Sequence, residues 1–456
     1  MKLLALGHSH NLFTCTCFVF GLLTILQVPS VNVMSLPIPT SSSSSTSRSS
    51  SSTTASSLAA TTAPRRTIRW GVIGLGDVVK HKTGQAFLQA TGSDLVAAFT
   101  RTPGKAAAWA QASGGPATTG YDTLEEFLKD DRVDAYYIAT PPGTHVSMAM
   151  RVATNKKPIY MEKPVGRSYE ETAIISAALE ARGIPFFTAY TSRAYPRTAA
   201  LKQALETGRI GKVTNISYVM SGASMVRGLS TTAATTDSSA VQPWRLRADV
   251  SGGGIFLDVG CHLLDRLDFC AGPIVDCHGQ ALNRQSPQQD VEDYVWLKAT
   301  IGIHKNANKE SEEKDTHFCV GASVDCIWDF TGGHGGEEQD ELVFQGTKGS
   351  LRMKGMSPDA PIQVLDQDGS LIEEIKFDPV TLAGLPLIQM ATNELLGKGA
   401  CPSKGDNARR TSAVMDTVLN GYYGGRGDDF FFRPESWPGI PPVRRELYLA
   451  ELNESS

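Results

Sequence analysis

Glu162-Lys163-Pro164 and, farther along the 456-residue chain, Asp258-Val259-Gly260-Cys261-His262 supply the residue types of a proton-transfer site. Asp258 and His262 are four residues apart, so on a helix they share one face and can reach the same substrate oxygen or each other. In that arrangement His262 takes a hydroxyl proton and Asp258 orients or stabilises the imidazole. Lys163 supplies positive charge where an alkoxide develops. An isolated Asp-x-x-x-His is more often a hydrogen-bonded helix pair than a catalytic one, and its coupling to Glu162-Lys163-Pro164 reverses that reading. No third ligand stands at metal-like spacing, so no metal is expected. Cys261 points off the Asp258/His262 face and reads as a packed thiol.

Such groups could serve the oxidation of an alcohol if a hydride acceptor were bound beside them. Gly71-Val72-Ile73-Gly74-Leu75-Gly76-Asp77-Val78-Val79 lies between a strand and a helix, the context in which a glycine motif binds a dinucleotide. Gly74 allows the tight turn and Gly76 the close approach to a pyrophosphate, with Leu75, Asp77 and Val78 lining the same turn at the helix N-terminus. Val79 replaces the usual third Gly or Ala, which would loosen the helix packing. At the end of the second strand, where an acid commonly reads the 2′-hydroxyl of NAD, the chain has Thr100-Arg101-Thr102. A guanidinium with hydroxyls suits a 2′-phosphate, so NADP(H) is favoured over NAD(H). The alternative is that Arg101 stacks on adenine or is solvated.

Apolar runs at 68–73, 95–100, 135–139 and 159–161 alternate with helical patterns at 78–91, 104–112 and 144–155, and a helix starts at Thr123. Such alternation predicts a parallel sheet covered by helices. After Tyr190 a helix is expected at 197–206, then strands at 213–221, 294–301, 319–330, 341–345 and 350–353, with loops at 304–315 and 331–336. Consecutive strands joined by polar turns predict a mostly antiparallel sheet. The fold class is therefore α/β: an N-terminal Rossmann parallel sheet (67–189) and a C-terminal α/β domain (190–456) with a large, mostly antiparallel open sheet.

The order of motifs resembles the Gfo/Idh/MocA oxidoreductases from about Ile68 onward. Gly74-Leu75-Gly76, Ile138-Ala139-Thr140-Pro141-Pro142-Gly143-Thr144-His145, Glu162-Lys163-Pro164, Gly208-Arg209-Ile210-Gly211 and the block from Trp244-Arg245 to Asp265 carry the resemblance. It implies that Thr140, Pro141, Pro142 and His145 line the nicotinamide-ribose side and that Glu162 and Lys163 sit at the nicotinamide. Trp244 and Arg245 would touch the cofactor from the second domain, whose open sheet would pair copies into a homo-dimer or homo-tetramer. The Lys163-Pro164 bond would be cis, aiming the lysine into the cleft. Tyr190, Arg193 and Tyr195 either bind substrate or pack the domain junction, and the loop at 226–242 shapes the pocket.

The activity so implied is NADP(H)-dependent hydride transfer to or from a sugar, cyclitol or related polyol or carbonyl compound. An NAD-dependent glycoside hydrolase with transient redox, or a cofactor-sensing regulator, are the alternatives. A formal charge of −4 and the absence of a basic stripe disfavour nucleic acid as a partner. Residues 1–28 read as a signal peptide or membrane anchor, and 29–66 as a Ser/Thr-rich disordered transit segment or linker. The chain is thus expected to enter the secretory pathway, reaching a plastid or remaining in the ER, secreted or anchored, with membrane contact only through an uncleaved N-terminus. Of eight cysteines, Cys15 and Cys17 lie in the N-terminal segment, and Cys261, Cys270, Cys277, Cys319, Cys326 and Cys401, without metal or CxxC spacing, read as buried thiols. The sequons at Asn215 and Asn453 and Arg426-Gly427-Asp428 are matches of a length that arises by chance.

Overall fold

Ile-Arg-Trp-Gly-Val-Ile, the first strand (β1, Ile68–Ile73), is buried along nearly its whole length because helices cover both faces of its sheet. The computed structural model describes residues 67–222, 243–284, 291–303, 318–331 and 338–424. β1 pairs in parallel with β2 (Ser93–Phe99) and β4 (Ala135–Ile138). β3 (Thr119–Tyr121), β5 (Ile159–Met161) and β6 (Phe186–Thr188) complete a sheet of order β3-β2-β1-β4-β5-β6. This doubly wound order reverses direction between β1 and β4, and a crevice forms outside the strand ends at that point.

The covering helices include α1 (Gly84–Gln89), α2 (Lys105–Ser113), α3 (Leu124–Leu128), α4 (His145–Ala153) and α5 (Tyr169–Ala181). Thr123 caps α3 by accepting the amide of Glu126, the local reason the helix starts there. A π turn at Val79–Thr83 precedes α1, where the motif carries Val79 in place of a small residue.

The second sheet has eight strands: β7 (Val213–Ser221), β8 (Ile274–Leu282), β9 (Tyr294–Ile301), β10 (Ser323–Asp329), β11 (Gln339–Gly346), β12 (Gly349–Met353), β13 (Ile362–Leu365) and β14 (Leu371–Ile375). Among the described residues of this sheet only β7 and β10 pair in parallel. Alternate residues of β9 and β10 are buried, and that face meets α7 (Ile255–Cys270), with Phe256 edge-on to Trp328 at 4.9 Å, while α6 (Pro196–Glu206) packs against α7. The strand expected at 319–330 starts only at Ser323, because Gly321 turns the chain with φ +82°. α8 (Leu385–Leu395) and α9 (Gly405–Leu419), which no sequence signal had singled out, follow: α8 packs against α1, and α9 lies between α5 of the first domain and β8 of the second sheet. The edge strand β14, Leu-Ile-Glu-Glu-Ile, was also unforeseen, since it buries almost nothing and shows no alternation.

Among the described residues no helix is long and apolar enough to cross a membrane. The segments 1–28 and 29–66, Cys15, Cys17, the loops 226–242 and 304–315, 332–336, the Asn453 sequon and Arg426-Gly427-Asp428 lie outside the described residues.

Candidate active site

Gly74, with φ +92°, closes the β1 turn flush against β4: a Cβ there would stand 2.8 Å from the Ala139 carbonyl oxygen. A Cβ on Gly76 would meet nothing within 4 Å. The turn therefore touches the sheet at one glycine and leaves open space in front of the other. That space belongs to a cleft of about 780 Å³ lined by Gly74 to Val78, Thr100, Arg101, Lys105, Thr140 to Pro142, Glu162, Lys163, Trp244, Arg245, Asp258 and His262. An open cradle at the N-terminal end of the π turn, along a cleft that ends at a lysine and a histidine, fits an extended dinucleotide.

Thr140 and Pro141 are held from behind. Thr144 Oγ1 donates to the Pro141 carbonyl at 2.9 Å and lies 2.8 Å from Thr140 Oγ1. His145 does not line the cleft as expected. Fully buried, it is wedged between the carbonyls of Thr140 (Nε2, 2.7 Å) and Val165 (Nδ1, 2.9 Å), joining the loop after β4 to the segment after β5. Its place in the first turn of α4 turns it inward, a fact that residue type cannot disclose.

Glu162 is buried at the end of β5, where Tyr137 donates to its Oε1 at 2.7 Å and Thr83 of the π turn lies 2.9 Å from the Tyr137 hydroxyl. Burial raises the Glu162 pKa, with Lys163 and Tyr137 opposing. The Lys163-Pro164 bond is cis. Lys163 Nζ donates to Asp258 Oδ1 at 2.6 Å and to the Asp258 carbonyl at 2.9 Å. An ammonium has three protons, so one remains for a ligand. Burial alone would lower the Lys163 pKa, but the Asp258 carboxylate prevails and the net shift is upward.

Asp258 is placed differently from the sequence expectation. Its second oxygen accepts from Arg245 Nε at 2.9 Å, and Arg245 stacks on Trp244 with its guanidinium 4.3 Å from the ring centroid. The carboxylate is thus shared by two cations and lies below its ordinary pKa despite burial. It fixes Lys163 rather than the imidazole of His262, because the lysine reaches it first from β5. His262 shares the helix face of Asp258 as predicted, but its ring is supported edge-on by Tyr190, 6.4 Å away at 86°. Burial and then the Lys163 charge push its pKa well below the ordinary 6.5. Cys261 is buried and its thiol is pushed up to about 12, in keeping with a packed side chain.

Tyr190 and Arg193 do not reach the cleft. Tyr190 is fully buried behind His262. Arg193 is locked between Asp265 (2.8 Å) and Asp268 (2.9 Å), so it joins the segment after β6 to α7. Tyr195 does line the cleft, its hydroxyl donating to the Ala383 carbonyl at 3.2 Å. The cleft also includes Lys80, His81, Lys82, Ser192, Arg266, Met356 and Pro358, none of which the sequence had suggested. Arg266 alone had a signal: it extends the Asp258/His262 spacing by four more residues. Among the described residues no three His, Cys, Asp or Glu side chains converge as a metal site would.

Residues 68–190 match the family model described as an oxidoreductase family with an NAD-binding Rossmann fold, and 198–304 match the GFO/IDH/MocA C-terminal domain. The chain belongs to the GFO/IDH/MocA oxidoreductases and is an NAD(P)-binding dehydrogenase or reductase of that family. It is 25% identical over 350 residues to Oxidoreductase P35 of Formosa agariphila, covering 76% of this chain and 97% of that one. It is 28% identical over 225 residues to scyllo-inositol 2-dehydrogenase (NAD(+)) of Bacillus subtilis, covering 49% and 60% of the two chains. The fold matches the crystal structure of aldose-aldose oxidoreductase from Caulobacter crescentus complexed with glycerol, with a TM-score of 0.61, 18% identity and 78% and 98% of the chains covered.

Proposed function

We propose that the protein is an NADP(H)-dependent dehydrogenase or reductase that interconverts a secondary alcohol and a carbonyl on a sugar, cyclitol or related polyol. The observation that carries this reading is Lys163, held as a cation by Asp258 with one proton left over, on the same cleft wall as a neutral His262. A nicotinamide held in this cleft would supply the hydride chemistry, as acceptor in oxidation and donor in reduction. In the oxidative direction His262 accepts the hydroxyl proton, and Lys163 donates a hydrogen bond to the oxygen as its charge grows. In reduction the imidazolium of His262 returns the proton to the new alcohol.

Thr140, Pro141, Pro142, Glu162 and Trp244 form the wall around the nicotinamide. Gly74, Leu75, Gly76, Asp77 and Val78 hold the pyrophosphate, and Thr100 and Arg101 hold the adenosine end. Arg101 is exposed at the cleft end with Lys105 nearby, which favours a 2′-phosphate. The outer face of the eight-stranded sheet, with Val275 and Ile327 exposed, serves to pair copies of the chain. Residues 1–66 serve to deliver the chain into the secretory pathway. Fluorescence titration with NADPH and NADH, repeated on Arg101→Ala, tests the cofactor assignment: selective NADPH binding lost in the variant supports it, and equal binding of both overturns it.

A further inference from the structure

Around His262 the cleft wall holds more positive charge than the hydride transfer requires. Lys163, Arg245, Arg266 and Lys82 all line it, against the carboxyl groups of Asp258 and Glu162. Asp258 is committed to Lys163 and Arg245, and Glu162 is turned to Tyr137. Arg266 and Lys82 are in no ion pair with either. Both lie close enough to His262 for their charge to act on its ring.

Arg266 is the more telling of the two. It is 3% exposed, and Nη1 donates to the Gly355 carbonyl, but its Nε is buried without any hydrogen-bond partner. The carboxylate whose field reaches it, Asp340, is occupied by the Tyr218 hydroxyl (3.1 Å) and the Met356 amide (2.9 Å). A buried guanidinium N–H without an acceptor costs free energy unless a ligand completes it. Across the cleft wall Ser192, 2% exposed, has a hydroxyl in the same condition. Arg266 lies one helical turn beyond His262, about 6 Å along the axis. A group bound there is a few bonds from the carbon that exchanges hydride.

We infer that the substrate is anionic: a sugar or polyol bearing an oxyacid group, carboxylate or phosphate, that Arg266 receives with help from Ser192 and Lys82 while the neighbouring carbinol lies between Lys163 and His262. This rests on the dehydrogenase reading above and narrows its substrate class. The planar edge of Arg266 suits a bidentate oxyanion, and exposed Lys82 adds a screened attraction at the rim.

The test uses the full chain with NADP⁺ and matched compounds: D-glucose, D-glucuronate and D-glucose 6-phosphate, and D-galactose with D-galacturonate. Steady-state rates are measured for the unaltered protein, Arg266→Gln and Lys82→Gln, alongside NADPH binding and melting temperature. An acid or phosphate should be used with a KM at least about tenfold below its neutral counterpart, and Arg266→Gln should raise that KM about ten- to a hundred-fold, several times more than it raises the KM of the neutral counterpart. Preference for the uronate identifies a carboxylate and preference for the 6-phosphate a phosphate; both support the inference. If Arg266→Gln does not fold, a KM for the anion that rises in Lys82→Gln and with added salt carries the same support. Equal or better use of neutral sugars overturns it. So does intact NADPH binding with no anionic compound turned over or raising the melting temperature. Failure of NADPH and NADH alike to bind overturns the dehydrogenase reading as well.

Discussion

Lys163 Nζ stands 2.6 Å from Asp258 Oδ1 and 2.9 Å from the carbonyl oxygen of the same residue, 95 positions along the chain. The Asp258 carboxylate is the main group keeping a largely desolvated ammonium charged. In Asp258→Asn that support is gone and burial dominates, so the Lys163 pKa should fall below its ordinary 10.5. The expected result is a loss in kcat/KM of about a hundred- to a thousand-fold. A new alkaline limb should also appear in the pH profile. Unchanged alkaline behaviour would remove Asp258 from this role.

His262 is held neutral by burial and by the Lys163 charge, with its pKa well below 6.5. Oxidation should therefore persist below pH 6.5 and decline only where the folded imidazole takes a proton. Replacing it with Gln should lower kcat by about a hundred- to ten-thousand-fold and abolish that acid limb. The sign for stability is the same: below 6.5 the unfolded chain binds the proton and the folded one does not, so the native state loses stability as pH falls. His262→Gln should show a shallower decline in melting temperature between pH 7 and pH 5, measured calorimetrically.

On the proposed NADP(H) assignment, Arg101→Ala removes a charge-assisted contact to the 2′-phosphate without touching the β1 turn. NADPH affinity should drop about ten- to a hundred-fold while NADH affinity stays within about twofold, both read by fluorescence titration. The NADPH loss should shrink at high salt, because the site is exposed.

Arg193 is a structural strut between Asp265 and Asp268, both buried. Arg193→Ala leaves those carboxylates short of a counterion, although Arg410 still pairs with Asp268 and Asn407 with Asp265. A loss of about 3–5 kcal/mol is expected from denaturant unfolding. The affinity for NADPH in the folded fraction should be unaltered; a weakened cofactor with unchanged stability would return Arg193 to the cleft.

The sequence by itself determined the local pieces: the glycine turn after β1, the parallel alternation of strands and helices, and the shared helix face of Asp258 and His262. Each depends on neighbours within a few residues, where spacing and backbone freedom leave one solution. Tertiary structure alone decided which side chain each group meets. Asp258 turns to Lys163 and Arg245 rather than His262, and His145 and Arg193 become buried struts although both stand beside cleft-lining residues. Arg266 reaches the cleft wall beside a loop from the second sheet that brings Met356 and Pro358 to it. Those contacts are set by how α7 packs against the segments that follow β5 and β6 and against the second sheet, and hydrogen-bond partners tens of residues apart are chosen by that packing, which no local spacing encodes.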